Sequence, residues 1–208
     1  MNILDEISDM MQKGKVAPVK ELITQALEQG ISAKDILEKG LLSGMDIIGD
    51  KFKNNVIYVP EVLIAARAMN AGALLLKPYL ADAGVEEKGV VVIGTVKGDL
   101  HDIGKNLVKM MMEGKGLKVV DLGVSVAPET FVAAAKENNA DVIACSALLT
   151  TTMNEMKNVV ELAKKEGVAA KVIVGGAPLT QSFADSIGAD GYTSNASSAA
   201  DLALSFCS

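Results

Sequence analysis

The sequence predicts an α/β protein in two parts, an N-terminal four-helix unit followed by a doubly wound, five-stranded parallel sheet, and three observations carry that prediction. The apolar period is helical up to about residue 80, then gives way to short β-branched runs separated by helical stretches. Those runs are continuously apolar, as in parallel strands covered on both faces. The chain has 208 residues, 50% of them apolar and 22% charged, which is enough for a core in each part.

In the first part, Ile3, Leu4, Ile7, Met10 and Met11 recur at three-and-four spacing. Val19, Leu22, Ile23, Ala26 and Leu27 do the same behind Pro18, with Gly30 placed to stop that second helix. Ser32 and Asp35 form an N-terminal capping pattern for a third, which carries Ile36, Leu37, Leu41, Met45, Ile48 and Phe52 on one side. Pro60, in a first-turn position, opens a fourth with Val62, Leu63, Ala66, Met69, Ala73 and Leu74 facing inward until Pro78. The helical unit is thus expected over residues 1–80. The polar, aperiodic segment 81–88 reads as a linker, and residues 89–208 as the sheet domain. Strands are expected at 90–96, 118–122, 141–145 and 171–174, with a weak fifth near 191–193. Helices are expected near 103–115, 128–138, 152–166, 179–187 and 197–206.

Composition narrows the function classes. Twenty Lys plus Arg against 26 Asp plus Glu give a net charge of −6 without a basic cluster, which argues against nucleic acid as a partner. Two cysteines, Cys145 and Cys207, are too few for a disulfide scaffold or a paired-thiolate metal site and suit a reducing compartment. The N-terminus carries acids where a signal peptide has a basic region, and no stretch reads as the roughly 20 apolar residues that span a bilayer. A cytoplasmic protein without a membrane partner is expected.

Doubly wound sheets bind ligands outside the carboxyl ends of their strands, where the strand order reverses. The loop after the first strand, Gly98-Asp99-Leu100-His101-Asp102-Ile103-Gly104, holds the protein's single histidine. Imidazole is the commonest metal ligand, and a carboxylate on its second nitrogen fixes the tautomer; Asp99 stands two residues away for that role. A histidine that caps the helix or pairs with Asp102 is the plainer reading of the same residues. One histidine cannot complete a zinc or iron shell, so a metal here has to bring most of its own ligands, as a macrocycle with four equatorial nitrogens does. The loop after the third strand is rich in hydroxyls, Ser146 to Thr152. The fourth strand ends in Gly175-Gly176, where a flat group can approach the backbone with no Cβ in the way.

In this order, D-x-H-x-x-G (Asp99 to Gly104), S-x-L (Ser146-Ala147-Leu148) and G-G (Gly175-Gly176), the sequence resembles the cobalamin-binding module of corrinoid methyltransferases, including that of methionine synthase. Gly49-Asp50-Lys51-Phe52, Tyr58-Val59-Pro60-Glu61 and Ala65-Ala66-Arg67-Ala68-Met69 look like that family's helical cap, so the likeness covers nearly the whole chain. It implies a Rossmann-like, flavodoxin-like sheet and cobalamin as cofactor. His101 would be the cobalt ligand in the base-off, histidine-on state, with Asp99 on its other nitrogen and Thr152 continuing the relay. The family often has serine at that third position, and threonine keeps the hydroxyl. Protonation of His101 and Asp99 would follow the state of the cobalt.

The resemblance also implies a wider set of cofactor contacts: Gly98, Leu100, Asp102, Ile103 and Gly104 around the histidine, and Ser146, Leu148, Thr150, Gly175 and Gly176 along the nucleotide tail. Gly191, Tyr192 and Ala196 would line its far end, and Glu38, Phe52 and Val59 would face the corrin from the cap, although Phe52 is equally an ordinary core residue of its helix. The implied partners are a substrate-specific methyltransferase, an acceptor methyltransferase serving a thiol or tetrahydrofolate, and a reductive activase, in an anaerobe. No catalytic residue is expected beyond the cofactor, since 208 residues leave no room for a substrate barrel of about 250. Two alternatives stand beside the methyl carrier. One is a B12-binding regulatory module, against which there is no DNA-binding helix pair or basic face. The other is a flavodoxin-like receiver or nucleotide-binding domain, against which the third strand ends in Cys145-Ser146 where a receiver carries its acidic cluster.

Overall fold

A computed structural model describes residues 2–82 and 87–207. The chain divides into two compact units, Met1–Glu86 and Glu87–Ser208. In the first, α1 (Ile3–Gln12) opens on a capping box in which the Asn2 side chain and Asp5 satisfy each other's backbone N–H groups. It packs on α2 (Val16–Glu28) and on a helical run of α3 (Ala33–Asp35), a π-helical segment (Ile36–Leu42) and α4 (Ser43–Lys53). Helix α5 (Val59–Asp82) closes the unit. Leu4, Ile7, Met11, Val19, Ile23, Ile36, Leu41, Met45, Ile48, Val62 and Met69 form its core.

The third helix departs from the expected single α-helix. The step from Ile36 to Leu41 is five residues, too long for the three-and-four spacing, and the π segment absorbs the extra residue so that both side chains stay buried. Glycines permit the close crossings: a Cβ on Gly72 would stand 2.8 Å from Ile23 Cδ1 and 3.0 Å from Leu41 Cδ1. Leu63 and Leu74, expected inward, are exposed, because the buried stripe of α5 is made of the small Ala65, Ala66 and Ala68 with Val62, Met69 and Leu76. That helix also runs past Pro78 to Asp82, with the proline inside it forfeiting one backbone bond. It therefore takes in the first two residues of the expected linker, of which residues 83–86 lie outside the described residues. By length and composition Val59–Leu80 does reach what a membrane span needs, contrary to the expectation above; 39% of its most apolar 18-residue window is buried inside the protein.

The second unit alternates β1 (Val90–Thr95), α6 (Ile103–Gly114), β2 (Lys118–Asp121), α7 (Pro128–Glu137), β3 (Val142–Ser146), α8 (Asn154–Lys165), β4 (Lys171–Gly175), α9 (Gln181–Ile187), β5 (Gly191–Tyr192) and α10 (Ala196–Ser205). The architecture is thus the expected α/β one, with a helical part preceding a five-stranded sheet. All pairings are parallel, in the order β2-β1-β3-β4-β5. The order reverses between β1 and β3, so the loops after those two strands diverge at the carboxyl edge and leave a crevice. The register sets Thr95, Ser146 and Gly175 side by side as the last residues of β1, β3 and β4. Helices α6 and α10 pack on each other, as do α7 and α8, and Phe131, Ile143, Met156 and Val172 fill the core between the sheet and the second pair. Lys105, buried in the first turn of α6, is ion-paired to Asp121 at the end of β2, which fixes the start of that helix against the sheet. Cys145 is buried in β3, where burial pushes its thiol up; burial and the neighbouring Asp141 push that of Cys207 up to about 11. Both shifts favour the protonated thiol over the nucleophilic thiolate.

Candidate functional site

The site is built at the reversal of strand order. Leaving β1, the chain turns at Gly98, whose φ of 81° lies in the left-handed region, and this turns Asp99 inward to full burial. Asp99 is an acceptor for two converging loops. Its Oδ1 takes the His101 backbone N–H at 3.1 Å and His101 Nδ1 at 2.7 Å. Its Oδ2 takes the N–H groups of Leu148 and Leu149 at 2.8 and 3.1 Å, and the Thr152 hydroxyl at 2.9 Å. Burial alone would raise the pKa of this carboxyl. The N–H groups of His101 and Leu148, the imidazole and the N–H of Leu149 outweigh burial and hold it well below the usual carboxylate range.

An ionised carboxylate can only accept, so the hydrogen between Asp99 and His101 sits on Nδ1 and the lone pair of Nε2 is left for another partner. The imidazole is half exposed, while both groups that orient it, Asp99 and Thr152, are buried. His101 thus pairs with Asp99, and Asp102 instead accepts from the Asn106 side chain at 3.2 Å. The imidazole is surrounded by apolar side chains that a soluble domain ordinarily hides: Leu100 is 72% exposed and Ile103 77%, with Leu148 and Leu149 also exposed. A Cβ on Gly104 would meet nothing, so the start of α6 is open beside them.

Residue type and spacing could find Asp99 and His101, whereas Thr152 came from the family resemblance alone. Sequence reasoning missed two contributions. The backbone donors of Leu148 and Leu149 carry no side-chain signal at all. The Thr95 hydroxyl, fully buried at the end of β1, donates to the His101 carbonyl at 2.8 Å and was legible only as a polar residue closing an apolar strand.

The other expected contacts divide. Ser146, Leu148, Thr150 and Gly175 lie along the β3 and β4 edge of the crevice, and a Cβ on Gly175 would meet only the Thr193 carbonyl at 3.9 Å. Gly176 differs from the expectation, because what demands a glycine there is internal. At φ 141° a Cβ would fall 1.8 Å from the Ala147 carbonyl oxygen, so the pair locks the β4 turn onto the β3 loop. Gly191 is likewise set by packing, its α-carbon facing Leu202. The Tyr192 hydroxyl donates to the Leu179 carbonyl at 3.0 Å, and Ala196 begins α10 behind the Asn195 cap. Glu38, Phe52 and Val59 belong to the helical unit, on the π segment, α4 and α5 respectively. All three are half-buried, so Phe52 is not one of its core residues.

These features fit a corrinoid. Among the described residues no three His, Cys, Asp or Glu side chains gather to hold a metal ion, so a metal at Nε2 would have one protein ligand and would need a ring for the rest. The exposed leucines and isoleucine around the imidazole suit the face of such a ring. Comparison with known proteins agrees. Residues 89–201 and residues 3–77 each match a family described as B12 binding domain, and the chain belongs to the B12-binding corrinoid proteins of methyltransferase systems. It binds cobalamin.

Among its relatives, the dimethylamine corrinoid protein 3 of Methanosarcina acetivorans is 44% identical over 200 residues, covering 95% of this chain and 93% of the relative. The corrinoid protein DSY3155 of Desulfitobacterium hafniense is 41% identical over 208 residues, 98% of this chain and 96% of the relative. In the crystal structure of the methanol:cobalamin methyltransferase complex MtaBC from Methanosarcina barkeri, one chain superposes with a TM-score of 0.89 at 30% identity, covering 99% of this chain and 79% of that one.

Because Asp99 carries so many donors, the Asp99→Asn variant tests the geometry. Its amide keeps one acceptor and turns an NH2 group on N–H donors already in place. Expected is a loss of cobalamin affinity of about 10–100-fold, the range for a group that orients a metal ligand, read by spectral titration. The pH dependence follows from the depressed carboxyl. Its stabilisation is fully present above the unfolded pKa of about 3.9 and is lost as pH falls from there toward the lower native value. Thermal melts of the cofactor-free protein from pH 7 to pH 3 should show that acid loss in the parent and a shallower one in the variant.

Proposed function

We propose that this chain is a methyl carrier that holds cobalamin base-off with His101 as the lower cobalt ligand and is methylated and demethylated by separate methyltransferases. When bound, the cobalamin supplies a metal that accepts and releases a methyl group. The observation that carries the reading is the half-exposed imidazole whose Nδ1–H is fixed on a buried carboxylate, leaving Nε2 as the single outward donor atom in an apolar surround.

The chain's own residues have three tasks. His101 ligates; Asp99 fixes its tautomer and stabilises positive charge on the ring; Thr152 and the two leucine N–H groups keep Asp99 in place. The Thr152 hydroxyl also lies 2.9 Å from the Leu149 carbonyl, so its single hydrogen has two acceptors to choose between, and its direction can follow the charge on Asp99. The nucleotide tail is assigned to the crevice bordered by Ser146, Thr150 and Gly175. Glu38, Phe52 and Val59 of the helical unit are proposed as further cofactor contacts, as the family resemblance implies. Relatives named for dimethylamine make a methylated-amine methyltransferase the first donor-side partner to test; the acceptor side is a second methyltransferase, and a reductive activase restores oxidised carrier. The setting is the cytoplasm of an anaerobe.

The test is reconstitution. Protein mixed with hydroxocobalamin and desalted should keep one cobalamin per chain, and should then accept a methyl group when given a methylated amine, the matching methyltransferase and a reductant. A protein that holds cobalamin but exchanges methyl groups with no methyltransferase would be a regulatory module instead.

A further inference from the structure

The loop that carries His101 is gripped from both neighbours of β1, and the grip from the β2 side has no counterpart in the roles assigned so far. On the β3 side the hold is on the Asp99 side chain. On the β2 side it is on the backbone, and it comes from one residue. Ser125 N donates to the Asp99 carbonyl at 2.9 Å, and Ser125 Oγ accepts the Gly98 N–H at 3.1 Å. Ser125 has φ 52°, a left-handed conformation uncommon outside glycine, and this turn directs its N–H and hydroxyl oxygen at two consecutive residues of the histidine loop.

Ser125 itself stands on a fixed rail. Either side of it, Thr95 N donates to the Gly123 carbonyl at 3.0 Å and Val126 N to the Thr95 carbonyl at 2.9 Å. Gly123 N donates to Asp121, whose carboxylate is already held by the buried Lys105. The rail therefore ties together the end of β1, the end of β2 and the start of α6, the strand and the helix between which the histidine loop runs among them.

We infer that Ser125 is a positioning residue for the cobalt ligand, holding Gly98 and Asp99 so that His101 Nε2 is presented before cofactor arrives. This rests on the reading of His101 as the ligand, and the energetic reason is pre-organisation. A loop that samples other arrangements binds with an affinity reduced by the fraction of time spent in the competent one. A single exposed hydrogen bond of ordinary strength corresponds to about a five-fold change in that fraction.

Three variants separate positioning from plain stability. Ser125→Ala removes the acceptor and keeps the backbone bond. Ser125→Gly also removes it while relieving the left-handed strain, so its melting temperature should be no lower than the parent's. Ser125→Asn tolerates the same φ and restores an acceptor oxygen. Each is titrated with hydroxocobalamin, and amide exchange at Gly98 is followed in the cofactor-free protein. Alanine and glycine should each lose about five-fold in affinity and gain about five-fold in Gly98 exchange, with asparagine near the parent in both. Affinities and exchange equal to the parent in all three would overturn the inference, as would losses that simply track melting temperature. Should the parent take up cobalamin without nitrogen ligation, the reading of His101 fails on its own, and Gly98 exchange still decides whether Ser125 orders the loop.

Discussion

Replacing His101 with alanine is expected to abolish nitrogen ligation of cobalt by the protein and to weaken cobalamin binding by more than the 10–100-fold typical of losing a group that merely orients a ligand. The reason is that no second imidazole is available. The imidazole is the single histidine of the chain, and the surrounding exposed side chains, Leu100, Ile103, Leu148 and Leu149, can cover a ring but cannot bind a metal. The cofactor-free fold should barely register the change. The ring is half exposed, and Asp99 keeps its four other donors, so thermal melting should shift by no more than a surface substitution does, about 0.5 kcal/mol. Spectral titration and a melt on the same sample measure both halves. A variant that binds as tightly as the parent would remove the histidine from the cobalt.

Gly176→Ala should do the reverse, damaging the fold before the site. The added methyl would sit 1.8 Å from the Ala147 carbonyl oxygen, a backbone atom that no side-chain rotation can move aside, at a φ of 141° that L-residues avoid. Relief requires the β4 turn to lift off the β3 loop, and that same loop supplies the Leu148, Leu149 and Thr152 donors to Asp99. A loss of at least about 3 kcal/mol in urea unfolding is expected, with cobalamin binding lost alongside. Gly175→Ala, whose methyl would meet only a carbonyl at 3.9 Å, is the paired control and should fold normally.

The contrast between these glycines shows what could be read from the sequence. Strand and helix positions in the sheet unit were legible because parallel strands buried on both faces are written as unbroken apolar runs, such as Val90 to Ile93 and Val142 to Cys145. The histidine and its carboxylate were legible from type and spacing. What escaped depends on backbone groups or on contacts between distant segments. The N–H groups of Leu148 and Leu149 belong to residues whose side chains say nothing of hydrogen bonding. Gly176 reads as an opening for a ligand when its neighbour across the turn is Ala147. In the helical unit, hydropathy placed Leu63 and Leu74 inward, whereas close helix crossings favour the alanines and Gly72. The π segment over Ile36–Leu42 was not legible, because the step from Leu37 to Leu41 is the four-residue spacing of an ordinary helix.

The presence of one histidine makes the central claim directly measurable. Protein is grown with histidine labelled uniformly with nitrogen-15, loaded with natural-abundance cobalamin, and reduced by one electron to the paramagnetic cobalt(II) form. His101 on cobalt predicts that the nitrogen splitting in the electron paramagnetic resonance spectrum changes from three lines in unlabelled protein to two in labelled protein, since the labelled nucleus has spin one-half. Three lines in both samples would mean that the cofactor's own benzimidazole still occupies that position, and the account of His101, Asp99 and Thr152 as a ligand relay would be wrong.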